Sequence, residues 1–187
     1  STSTSNPVLV YVHGDLHWGS SEQAPKGTYF DGDRWLARNG GPPGDIVVVT
    51  INYREEALGF LAHPALSTES GHGSGAYGVL DVLEALRWVQ RNAAAFGGDP
   101  TRVVLMGQGT GATYVSDVVA SPLAKGLISG AILESGQYVK RTLADAESTG
   151  SEMAKALGCD GSADVPGCMR AVPATDLVAK LYGKFTG

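Results

Sequence analysis

Four short stretches of this chain gather the side chains that could do chemistry: His13-Gly14-Asp15-Leu16-His17-Trp18, Tyr53-Arg54-Glu55-Glu56, Gly107-Gln108-Gly109-Thr110-Gly111 and Glu134-Ser135-Gly136-Gln137-Tyr138. The third has the glycine frame of a nucleophile elbow, G-x-S-x-G, a sharp strand-to-helix turn that needs small residues two before and two after its centre. Gly107 and Gly111 meet that need, but the centre is Gly109. With no hydroxyl at the tip there is nothing to acylate. Thr110 stands one step further along the turn, where a backbone N–H rather than a side chain faces a developing oxyanion.

Chemistry without an acyl-enzyme remains open. In that case His17 is the general acid/base, Asp15 the carboxylate that orients it, and Gln108 a neutral donor to a substrate carbonyl, with Thr110 beside it. Gly14, Leu16, Trp18, Gly109, Glu134 and Gln137 are the expected walls of the pocket. The bland alternative is an Asp–His pair that is merely solvated or caps its own loop. Two rival constellations overlap these residues. His13-x-Asp15-x-His17 offers two imidazoles and a carboxylate, a set that suits iron, but no further ligand follows and no metal is expected. Gly107-x-Gly109-x-x-Ala112 with Glu134 has the spacing of a dinucleotide-binding fingerprint; it stays a rival, and no cofactor is expected.

These loops need rigid elements behind them. Four β-branched runs supply them: Pro7 to Val12, Asp45 to Tyr53, Arg102 to Met106 and Gly130 to Glu134. Their continuous apolar character predicts strands covered on both faces. A helix is predicted from Tyr77 to Phe96, with Leu80, Val82, Leu83, Leu86 and Val89 as its apolar stripe and Glu84, Arg87 and Arg91 on wetter positions. Gly97-Gly98 is its left-handed stop, and Asp99-Pro100 turns the chain into the next strand. Further helices are predicted over Thr110 to Ala120, Leu143 to Leu157 and Thr175 to Leu181, with a turn or helix start at Ser121-Pro122. Trp18, Trp35 and Trp88 are expected to pack, Trp18 also lining the pocket, and Arg54-Glu55-Glu56 to form a solvated turn or a local ion pair. Strands alternating with helices make a parallel sheet, and each strand's exit loop then becomes a wall of one site.

Composition excludes several classes. The 187 residues are 43% hydrophobic with a net charge of -5, which describes an ordinary globular domain and argues against a nucleic-acid or anionic-membrane partner. The apolar runs are strand-sized, too short to span a bilayer. Ser1 to Ser5 is the sole low-complexity stretch, and residues 1–6 are expected to be disordered. Cys159 and Cys168 lie close enough to close a small disulfide loop in an oxidising compartment, or to stay two buried thiols in a reducing one. The bridge is the preferred expectation, and it hints at secretion.

Longer segments carry a resemblance. Pro7 to Gly14 resembles a PVxVxxHG strand, and DIVVVTINYREEALGFL (Asp45 to Leu61) a VVVxxNYRxxxxGFL segment. YGVLDVLEALRWVQRNAAAFGGDPTRV (Tyr77 to Val103) and SPLAKGLISGAILESG (Ser121 to Gly136) follow in the same order, and LGC…CMR is similar to a second cysteine pair. Together they resemble the type B carboxylesterases, the family that includes the cholinesterases. The resemblance implies a partial α/β-hydrolase core: a three-layer α/β fold with helices on both faces of four parallel strands in spatial order 2-1-3-4. It also implies one truncated domain over residues 1–187, because family members are far longer.

Two departures from the family matter. Its G-E-S-A-G elbow is replaced by Gly107-Gln108-Gly109-Thr110-Gly111, and its H-G-G-G-F loop by His13-Gly14-Asp15-Leu16-His17. A carboxylate at Asp15 opposes the stabilisation of an oxyanion. His13, His17, His63 and His72 all precede the elbow, so none occupies the place of the triad histidine. The expectation is therefore a carboxylesterase-like protein not competent as a serine hydrolase. Its pocket either serves acid/base chemistry on a small apolar carbonyl compound (a lyase, isomerase or cyclase) or only binds one. The alternatives are a residual or atypical ester hydrolase, a non-catalytic interaction module and a dinucleotide-binding unit. Bare sheet edges also call for a homodimer or a companion chain.

Overall fold

Valine-rich runs pair because β-branched side chains fit a pleated surface buried on both sides. In the computed structural model, which describes residues 5–14, 32, 46–138 and 141–181, they form one four-stranded sheet. Its strands are β1 (Asn6–Val12), β2 (Val47–Thr50), β3 (Gly98–Gln108) and β4 (Gly130–Glu134), in spatial order β2-β1-β3-β4 as the resemblance implies. All pairings are parallel. Register aligns the exits: Val12 lies opposite Gly107, and Gln108 opposite Glu134. The carboxyl ends of β1, β3 and β4 therefore open at one level.

The helices are α1 (Glu56–Phe60), α2 (Pro64–Ser70), α3 (Tyr77–Asn92), α4 (Thr110–Ala120), α5 (Leu143–Leu157), α6 (Val165–Ala171) and α7 (Ala174–Leu181). Among the described residues none is long and apolar enough to cross a membrane. The chain folds as two compact units, one of residues 1–53 and 79–138, the other of residues 54–78 and 139–187.

The first unit holds the sheet. Val8, Val10, Val12, Val103 and Leu105 are buried in its two central strands, and Val82, Leu83, Leu86 and Val89 of α3 are buried too. Leu80, expected in the same stripe, is exposed; at 100° per residue it lies about 60° beyond Leu83 and nearly opposite Val82 and Val89 around the helix. Trp88, expected to pack, is also largely exposed, its ring 6.0 Å from that of Phe96. The helix ends at Asn92, and its last turn tightens into a 3-10 turn, Ala93–Phe96, that Gly97 stops at φ 76°. β3 starts at Gly98, earlier than expected, and the Asp99 carboxylate accepts the Thr101 N–H at 2.9 Å.

Coverage on both faces holds for β1 and the middle of β3 but not for β4. There the adjacent Ile132 and Leu133 are 43% and 38% exposed although they point to opposite faces. Among the described residues β4 pairs with β3 on one side only and so stands at the sheet edge.

The second unit is helical, with Leu61, Ala154, Leu157, Cys159, Met169 and Leu181 as its core. Cys159 and Cys168 are joined by a disulfide. Thr142 caps α5, its hydroxyl accepting the Asp145 N–H, and Gly158 ends the helix at φ 79°. α1, α2 and α6 have no counterpart in the periodicity because they are too short to show one. Their signals are local: Pro64 and Pro166 near helix starts, His63 Nδ1 accepting the Ala65 N–H, and Asp164 Oδ1 accepting the Gly167 N–H.

Arg54-Glu55-Glu56 is not simply a solvated turn. Glu55 and Glu56 are half-buried at the start of α1, and Glu56 sits at φ 50°, where L-residues are strained. Burial, and secondarily the neighbouring Glu56 charge, push the Glu55 carboxyl up to about 7. The folded chain thus holds a proton that the unfolded chain releases near 4.5. This contribution to stability is largest at low pH and is lost as pH rises between about 4.5 and about 7. Urea titrations across that window should show the fall, and Glu55→Gln should flatten it. Glu56→Gly should raise stability by about 1 kcal/mol by relieving the left-handed backbone.

Candidate functional site

Glycine lets three backbone segments meet where the aligned strands end. A Cβ on Gly14, at the exit of β1, would fall on the Gln108 carbonyl oxygen and within 2.8 Å of the Thr110 nitrogen. One on Gly107 would come within 2.5 Å of the Gly111 carbonyl, and one on Gly111 within 2.6 Å of the His13 oxygen. All three glycines are therefore sites of backbone-on-backbone contact. Any side chain there would push β1, β3 and the first turn of α4 apart.

Gly109 differs. It caps α4 at φ 58°, ψ -126°, and the nearest atom to an added Cβ is the Gly14 oxygen at 3.9 Å. The tip of the turn thus has room for a side chain that the sequence does not supply. Its backbone is pinned: the Gly109 N–H donates to the Glu134 carbonyl at 2.9 Å, and its own carbonyl accepts from the Ala112 and Thr113 N–H groups. The sharp-turn geometry persists without a serine.

Behind the turn, His13 is buried and stacked on Tyr53, ring centroids 4.7 Å apart, while the Tyr53 hydroxyl donates to the His13 carbonyl at 2.7 Å. Tyr53 meets the Tyr114 ring edge-on at 5.4 Å. His13 is thus part of an aromatic buttress, as a strand-end histidine should be, and not an exposed base. On the other side the Thr113 hydroxyl donates to the Gln137 carbonyl at 2.6 Å and accepts the Gln137 N–H at 3.2 Å. That pair clamps the β4 exit loop to α4, and Ser135 in the loop takes φ 54°.

Of the expected site residues, Gly14, Gln108, Gly109, Thr110 and the Glu134 backbone come together here, and Gln137 is tied in through Thr113. Gln108, Glu134 and Gln137 are exposed on this face. Asp15, Leu16, His17 and Trp18 lie outside the described residues, and so does Trp35. Among the described residues no group of three or more His, Cys, Asp or Glu could hold a metal ion. Tyr53, expected in a wall of the site, instead buttresses His13, and Thr113 is not among the expected residues. Thr113 carries no local signal, since its partner is 24 residues away.

Known proteins share this frame. The sequence model of the Carboxylesterase family matches residues 1–186. Fumonisin B1 esterase of Sphingopyxis macrogoltabida is 45% identical over 160 residues, covering 84% of this chain and 27% of the relative. Human cocaine esterase is 37% identical over 178 residues, covering 92% of this chain and 29% of that protein. Human neuroligin-3 is 36% identical over 180 residues, with 94% and 20% covered. A solved PNB esterase structure superposes with a TM-score of 0.80 at 35% identity, covering 97% of this chain and 36% of that one. This chain spans between a fifth and about a third of these proteins' lengths.

Thermal and urea unfolding can test the division among the four glycines. Gly107→Ala and Gly111→Ala should each cost more than about 4 kcal/mol, because backbone must move. Gly109→Ser should cost about 1–3 kcal/mol, the backbone strain alone. Equal losses at all of these positions would contradict the geometry.

Proposed function

The chain belongs to the carboxylesterase family, and from that premise we propose that it is a carboxylesterase-like protein that does not act through an acyl-serine. The observation that carries this reading is Gly109: the turn, its glycine frame and its hydrogen bonds are kept, while the tip bears no hydroxyl. Covalent attack needs that atom, whatever else surrounds it. The strand-end face instead receives a small apolar carbonyl compound. Gln108, exposed beside the turn, donates to its carbonyl, and the Thr110 N–H polarises the same oxygen. His17 serves as general acid/base with Asp15 orienting it, which suits a lyase, isomerase or cyclase step. Binding without turnover is the simpler form of the same proposal.

An atypical ester hydrolase is the second reading, favoured by the likeness to the fumonisin B1 and cocaine esterases. The two separate cleanly. Incubation with a fluorophosphonate probe followed by intact-mass measurement should give no adduct, and a p-nitrophenyl ester should give no burst of p-nitrophenolate. A labelled side chain anywhere in the chain overturns the first reading. If turnover of a carbonyl compound is found, His17→Ala should abolish it, and unchanged activity removes His17 from the mechanism.

The sheet edges carry a proposal of their own. β4 leaves Ile132 and Leu133 uncovered and β2 is only half-buried, so a second copy or a companion chain pairs there. Sedimentation of a well-folded monomer at high concentration would refute it.

A further inference from the structure

The second unit contains an open-sided cavity of about 560 Å³, lined by residues other than those of the strand-end face. Its size falls within the range of small-molecule sites, and its walls come from α1, α2, α6, α7 and the residues flanking them. The lining is graded. Leu61 and Met169 at its floor are buried, Leu66 and Leu177 are half-buried, and Arg54 and Arg170 are exposed.

The polar part of the lining has one sign. Among the described lining residues the polar ones are Arg54, Arg170 and Tyr77, two guanidinium groups and a phenol; the Glu69 carboxylate stands behind Arg170. Both guanidiniums are held in place. Arg54 lies 5.6 Å from the centre of the Tyr77 ring, a cation–π distance. Arg170 is gripped by Glu69 through two parallel bonds, Nη1 to Oε1 at 2.8 Å and Nη2 to Oε2 at 2.5 Å. That pair uses two of the five N–H donors of a guanidinium, which leaves Arg170 donors for a second acceptor.

From this arrangement we propose that the cavity binds an aliphatic carboxylate, its alkyl chain on the leucine and methionine floor and its carboxylate at the Arg54 and Arg170 rim. Planar guanidiniums suit a carboxylate through paired, charge-assisted hydrogen bonds. An alkyl chain suits a floor of leucine and methionine side chains, and burying it supplies the hydrophobic part of the affinity. A cationic amphiphile is rejected by the same rim. The proposal is independent of the elbow and stands or falls apart from the function argued above.

The test is a ligand series on the whole, unaltered chain, read by calorimetric titration. Decanoate should bind saturably, decanol about tenfold or more weaker for want of the charged head, and decylamine not measurably. Arg54→Gln should weaken decanoate by about tenfold with little effect on decanol. Ala174→Phe, which fills the cavity from α7 and leaves both arginines, should abolish binding of both. Indistinguishable affinities for the three amphiphiles would overturn the proposal, as would decanoate binding unchanged in a folded Arg54→Gln chain. Should either variant fail to fold, the ligand series decides alone. A fluorophosphonate result bears on the absence of an acyl-serine and not on this cavity, so the two proposals fail separately.

Discussion

Backbone packed directly on backbone, where β1 and β3 leave the sheet and α4 begins, is the contact on which the rest of the first unit depends. Gly14, Gly107 and Gly111 each stand where a single Cβ would strike another segment's main chain. Because they carry none, the parallel register can run to the strand ends and the helix can start against them. The consequence is a turn whose shape owes nothing to the residue at its tip. Gly109 keeps its left-handed φ and its bond to the Glu134 carbonyl without any side chain. Architecture and chemistry therefore separate at this point. A turn held in this way keeps its shape whether or not its tip carries a side chain.

The second unit is held by other means. Its helices are mostly short, and short helices are marginal without caps and tertiary contacts. Thr142, Asp164 and the His63 ring supply the caps. Gly150 supplies a close approach, since a Cβ there would collide with the Ala62 carbonyl. The Cys159–Cys168 bond closes the loop ahead of α6, and the Arg170–Glu69 pair ties α6 to α2. Exposed ion pairs contribute little to stability, so that pair matters more for where it holds a guanidinium than for what it adds to folding. The half-buried Glu55 and the strained Glu56 at the start of α1 run the other way, since both cost stability at neutral pH.

Family membership sharpens what is unusual here. Relatives named as esterases share a third or more of their matched residues with this chain, and a PNB esterase shares its fold. Against the motifs that the resemblance implies, Gln108-Gly109-Thr110 stands out at the turn between β3 and α4. A scaffold that keeps its packing and changes its loops is the usual way one fold comes to host different chemistries.

Much was legible in the residues alone. Four β-branched runs gave four strands, Leu143 to Leu157 gave α5 to the residue, and Gly107 with Gly111 marked the turn, because each is a local pattern with a local cause. The absence of a hydroxyl at position 109 needs no coordinates. Strand order came from resemblance, since periodicity says nothing about which strands are neighbours. Only tertiary structure showed that Gly109 alone among the turn glycines has room for a side chain, that Tyr53 buttresses His13, and that Thr113 clamps Gln137. Only it placed Arg54, Tyr77 and Arg170 around one cavity. Those facts depend on residues far apart in the chain meeting in space, and distance through space is the one quantity that a linear pattern does not encode.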